Sequence, residues 1–154
     1  VGRFWGFDSF RGVPAEPTHV DQSAWGLSYA GGEYSALRAF RAGPRDWPWV
    51  EREILRLVRY PKTTLVKGFF NESLTDGLAA QRAMRPALWV SVDCDTYTST
   101  QQALEWLLGS GLLVPGSLVH YDEFDEGEGP AHEETSRRHG LRWQELLAWR
   151  PFGQ

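Results

Sequence analysis

Five carboxylates stand where apolar runs stop. Asp8 follows Arg3-Phe4-Trp5-Gly6-Phe7, Asp93 and Asp95 follow Ala87-Leu88-Trp89-Val90-Ser91-Val92, and Asp122 with Glu123 follows Leu118-Val119-His120-Tyr121. Each run reads as a buried strand, and a strand buried on both faces carries acids only where something pairs with them. In open α/β sheets, ligands sit outside the carboxyl ends of the strands, so these acids converge on one crevice if the strands are neighbours. An acid at the tip of the first strand can accept hydrogen bonds from the two hydroxyls of a nucleotide ribose, which suits Asp8; a plain turn residue is the equal alternative. Asp93, Asp122 and Glu123 are hard oxygen donors for Mg²⁺ or another oxygen-loving divalent ion, and a cation would relieve their mutual repulsion. Separate solvated acids in loops are the alternative. Asp95 reads as a second ligand, a general base or a turn cap, with Tyr97 and Ser99 placed to orient it.

Other reactive residues carry less. The run Asp125-Glu126-Gly127-Glu128 reads as a solvated loop after a strand. His19, His120, His132 and His139 show no zinc spacing and read as structural or surface residues, His120 being the exception beside the acid pair. Cys94, the sole cysteine, excludes an intrachain disulfide and a thiolate cluster. It reads as a small buried apolar residue, because no base stands beside it. Such cysteine use suits a reducing compartment, and the cytoplasm is expected.

The elements that must position these acids alternate in type. After the first strand, Asp8 to Pro14 turns out of the sheet, and Ala15 to about Gly32 reads as a long Gly-rich loop. Trp25 and Tyr29 within it would cover a ligand or pin the loop. Val50, Ile54, Leu57 and Val58 recur at helical spacing from Trp49 to Tyr60, and Pro61 stops the run. Thr63 to Val66 reads as a strand ending at Lys67-Gly68, and Asp76 to Met84 as a short helix. Ser99-Thr100-Gln101-Gln102 resembles a capping box for a helix with Ala103, Leu104, Leu107 and Leu108 on its buried stripe, ended by Gly109 to Gly111. Val114 to Ser117 turns into the strand at Leu118, a helix carries Glu133 to Arg138, and a last strand is expected near Leu141 to Leu147. Strands alternating with helices predict an α/β fold with a mostly parallel sheet and helices on both faces.

Bulk composition sets the bounds. A chain of 154 residues, 42% hydrophobic, can bury the core of one domain. A formal net charge of -4 leaves no basic footprint for nucleic acid, and no apolar stretch reaches the roughly 20 residues of a membrane span. Oligomeric state has no marker in the sequence, and a homo-oligomer stays open. Because Val1 is followed at once by the body of a strand, residues 1–154 are expected to be a single-domain excerpt of a longer protein.

Four motifs, "FDSFRGVP", "LVKGFFNESL", "VDCDTYTST" and "VHYDEFDEG", occur in this order over nearly the whole chain. Together they resemble the TylF/MycF-type O-methyltransferases, the macrocin O-methyltransferase family. That resemblance implies a Rossmann-like class I methyltransferase domain lacking its first strand, its Gly-rich turn and its last hairpin strand. It also implies S-adenosylmethionine as cofactor, a Mg²⁺ ion, and a small-molecule acceptor with neighbouring oxygens, a sugar or polyol above all. Carried over, Asp8 with Ser9 would hold the adenosyl ribose, Gly68 and Phe69 would border the adenine, and Asp93, Asp122 and Glu123 would bind the metal. Glu123 stands where the family usually has a second Asp. Asp93 and Asp95 are the catalytic candidates, with Asp95 accepting the proton. The rivals are a Rossmann-like binding module without activity and a metal-dependent hydrolase.

Overall fold

A computed structural model describes residues 2–14 and 31–146. The first strand, Phe4–Asp8 (β1), pairs in parallel with Thr63–Lys67 (β2), Phe4 opposite Thr63 and Asp8 opposite Lys67. Their crossover contains Ala36–Ala39 (α1), a 3-10 turn at Pro44–Asp46, and Trp47–Val58 (α2). Pro48 fits the first turn of α2, where its missing N–H costs nothing, and Arg59 closes the helix in the left-handed region at φ 55°. The helix therefore begins two residues before the expected Trp49 and ends two before Tyr60. Of its apolar stripe only Val50 is buried, while Leu57 is 60% exposed, because α2 turns its Val50 side to its neighbours α1 and β2.

The second half repeats the plan. After the short helices Phe70–Ser73 (α3) and Leu78–Gln81 (α4), the strand Trp89–Val92 (β3) pairs in parallel with Leu118–Tyr121 (β4). Between them runs Tyr97–Gly109 (α5). Its cap is Thr96, whose extended backbone lets Oγ1 accept the Ser99 amide at 3.3 Å, so the helix starts before the Ser99 cap expected from sequence. A π-type turn, Phe124–Glu128, leads into Gly129–His139 (α6), which packs on α5. α3 and the π-type turn have no sequence counterpart above, and the expected 76–84 helix is reduced to α4.

Among the described residues the strands form two parallel pairs, β1 with β2 and β3 with β4. The expected last strand is absent from residues 141–146. Gly140, at φ 62°, ends α6, the Leu141 amide returns to the Ser136 carbonyl at 2.9 Å, and Trp143 donates to Ser136 Oγ at 2.7 Å, so this segment folds back on α6. Leu147, the loop from Ala15, and His19, Trp25 and Tyr29 lie outside the described residues. The base of that loop is fixed: Val13 donates to Glu33 and accepts from Gly32, and a Cβ on Gly12 would meet the Glu33 carbonyl oxygen at 2.0 Å.

The main core joins the two halves. Val66 of β2, Leu78 and Ala79 of α4, Trp106 of α5 and Leu112 bury together, flanked by Trp5 and Phe7 of β1. Trp106 meets the Phe7 ring edge-on at 5.4 Å and gives its indole N–H to the Thr75 carbonyl at 3.0 Å. Among the described residues no helix is long and apolar enough to cross a membrane.

Candidate cofactor pocket and active site

The carboxyl ends of β1 and β3 open into one pocket. Phe7, Asp8 and Ser9 line it from β1, Phe69 and Phe70 from the end of β2, and Asp93, Cys94 and Asp95 from β3. Gly12 to Pro14, Tyr34 and Ser99 complete the wall. Five residues expected at the site, Asp8, Ser9, Phe69, Asp93 and Asp95, are thereby brought together. Gly68 stands just behind the wall, giving its amide to the Asp8 carbonyl at 3.0 Å.

Local turns hold these groups. One Asp8 carboxylate oxygen accepts the Phe10 amide, and Ser9 Oγ donates to the Gly12 carbonyl at 2.9 Å while accepting the Arg11 amide at 3.0 Å. Asp8 is thus both a turn residue and a pocket residue. Ser9 spends its hydroxyl on the turn, which leaves it a wall more than a ligand. Arg11 lies over the Phe69 ring at 5.6 Å from its centre, bracing the aromatic wall. At the other side, Asp95 adopts the left-handed conformation at φ 58°, a strained state that Asp tolerates better than most residues.

Asp122 and Glu123 are not part of this wall. The Asp122 amide donates to the Val92 carbonyl at 3.1 Å, so Asp93 and Asp122 follow directly on the paired residues Val92 and Tyr121. These two are hard oxygen donors at neighbouring strand ends, a type that suits a hard divalent ion. As placed, no group of three or more His, Cys, Asp or Glu among the described residues could hold a metal ion. Glu123 turns its amide toward Glu128 instead.

Electrostatics ties the acids together. Desolvation raises the Asp8 pKa, the Phe10 amide opposes it, and the charge of Asp93 adds to the rise. Burial pushes the Cys94 thiol up to about 12, with the surrounding carboxylates adding to the effect, so Cys94 stays a thiol as its sequence context implied. Glu128 overturns an expectation. Far from solvated, it is fully buried, and both of its oxygens accept backbone amides, from Cys94 at 2.8 Å and Glu123 at 3.1 Å. Desolvation raises its pKa, those two hydrogen bonds oppose the rise, and Asp93 and Glu123 reinforce it. Nothing in the local sequence signalled this, since glycines beside an acid are ordinary in a solvated loop.

No family model and no curated protein matches the chain. Solved structures do. The crystal structure of CalS11, calicheamicin methyltransferase, matches with a TM-score of 0.64 at 24% identity, over 97% of this chain and 57% of that one. The apo structure of CalS11, there named TDP-rhamnose 3'-O-methyltransferase, an enzyme in calicheamicin biosynthesis, matches with a TM-score of 0.57 at 22% identity. It is covered over 56% of its length, by 97% of this chain. This is a Rossmann-like methyltransferase fold. The chain spans little more than half the length of these structures, and the pocket lies at the strand ends where such folds take ligands.

Proposed function

We propose that this protein is an S-adenosylmethionine-dependent O-methyltransferase of the TylF/MycF type, acting on a hydroxyl of a sugar or another small acceptor with neighbouring oxygens. The observation that carries the reading is the pocket that sets Asp8, Phe69, Asp93 and Asp95 around one space at the strand ends. The naming of CalS11 as a TDP-rhamnose 3'-O-methyltransferase supports a sugar as acceptor.

Bound S-adenosylmethionine supplies a methyl group on a sulfonium, ready for transfer to an oxygen nucleophile. Asp8 has one carboxylate oxygen fixed by the Phe10 amide and offers its charge to the ribose hydroxyls. Phe69 gives a flat apolar wall for the adenine. Asp95 takes the proton of the acceptor hydroxyl, a role worth about 10²- to 10⁴-fold for a well-placed base. Mg²⁺, if bound at the neighbouring strand ends by Asp93 and Asp122, would supply a Lewis acid that makes the hydroxyl more acidic. Orientation by the pocket walls provides the larger share of the acceleration.

Calorimetric titration of S-adenosylhomocysteine, with and without Mg²⁺, tests the proposal. The protein should bind it, and Asp8→Ala should weaken binding about tenfold to a hundredfold, the worth of a hydrogen bond to a charged group. Asp8→Asn, which keeps an acceptor for the Phe10 amide, should weaken it as well. Absence of binding to the folded wild type would overturn the cofactor, and methyl transfer undiminished by chelator would overturn the metal.

A further inference from the structure

The turn Gly127-Glu128-Gly129 is built around a buried carboxylate that the chemistry above does not use. Leaving a carboxylate inside a protein is costly, and this one is compensated by two backbone amides that lie beyond the last paired residues of their strands. Cys94 directly follows Asp93, and Glu123 directly follows Asp122. A single side chain therefore spans the tips of β3 and β4. The residue before it makes a second, independent connection. Gly127 lies so close to the turn after β3 that an added Cβ would come within 2.4 Å of the Tyr97 amide nitrogen and 2.9 Å of the Asp95 carbonyl oxygen. Gly129 has no spare room either, since its Cβ would sit 2.2 Å from the Phe124 carbonyl oxygen. The acidic run is thus a close-packed brace lying against the backbone of both acids that line the β3 side of the pocket.

We propose that Glu128 is a positioning residue: with Gly127 it clasps the ends of β3 and β4 and fixes the backbone of Asp93 and Asp95 at the pocket wall. It acts through those residues and touches no ligand. The clasp rests on geometry alone, whereas its effect on turnover rests on the methyltransferase reading, so the two are measured separately.

Amide hydrogen exchange followed by NMR reads the clasp in the chain without ligand. Glu128→Gln keeps the shape but replaces one acceptor oxygen by a donor. The Cys94 or the Glu123 amide should then exchange about tenfold faster or more, as expected for local opening, while the Gly68 amide on the other strand pair keeps its rate. Gly127→Ala, which pushes on Asp95 without removing either acceptor, should shift the Asp95 and Tyr97 resonances while β1 and β2 stay unchanged, and it serves if Glu128→Gln does not fold. Unchanged rates at both amides overturn the clasp, as does an equal loss of protection in all four strands. In the active enzyme, kcat should fall about 10²-fold in Glu128→Gln, the cost of about 1 Å of misplacement, with S-adenosylhomocysteine affinity held within about threefold. A loosened clasp with unchanged kcat overturns the positioning role. A clasp seen by exchange in a protein that transfers no methyl group leaves the clasp standing and removes the methyltransferase reading.

Discussion

Partial burial favours the neutral form of His132. Its ring packs against Tyr121, Phe124 and Trp143 at centre distances of 5.2, 5.5 and 4.9 Å, and the Tyr121 hydroxyl lies 2.8 Å from Nδ1. Desolvation lowers its pKa, against a smaller upward pull from Glu133. Because the folded value lies below the unfolded one, the neutral ring contributes stability above the ordinary histidine range, and that contribution is lost as pH falls through the folded value. Between about pH 7.5 and about pH 5, the melting temperature should therefore drop further in the wild type than in His132→Gln. Equal drops would assign the pH response to other groups. The acids that line the pocket were legible one residue at a time because an apolar run stopping at a carboxylate is a local pattern, as at Asp8 and Asp93. Glu128 was hidden, because its burial depends on amides 34 and 5 residues away in sequence.

Helix α5 shows how a boundary is chosen between competing caps. Thr96 and Ser99 both carry hydroxyls, and the two are linked by a 2.8 Å hydrogen bond from Thr96 to Ser99. Thr96 wins because its extended backbone, at φ -103° and ψ 146°, turns Oγ1 toward the Ser99 amide. Thr96→Ala should lower stability by about 1 kcal/mol in urea denaturation, and Ser99→Ala by less. A larger loss at Ser99 would return the cap to the position that the sequence pattern suggested. Long periodic runs such as α2 and α5 were readable, since their stripes follow from 3.6-residue spacing. The single turns α1 and α3 and the π-type turn were not, because elements this short owe their shape to what packs on them. The segment after Gly140 carries strand-forming residues, yet Trp143 finds α6 and His132 first.

At the scale of the molecule, alternation of strands and helices was enough to give the α/β class and the parallel pairing. Which strand lies beside which was not, since register is set by contacts far apart in sequence. The pocket draws its walls from both strand pairs, Asp8 from one and Asp93 from the other. A ligand bridging those tips is therefore a staple between two halves otherwise joined mainly through the Trp106 core. Occupancy must then appear as heat resistance. At a ligand concentration a hundredfold above Kd, linkage adds about 2.7 kcal/mol, which for a chain of this size raises the melting temperature by about 5 to 10 °C. Melting in the presence of S-adenosylhomocysteine, and then of candidate acceptors, should rank them by affinity. Substrates can thus be sought by thermometer before any turnover is seen.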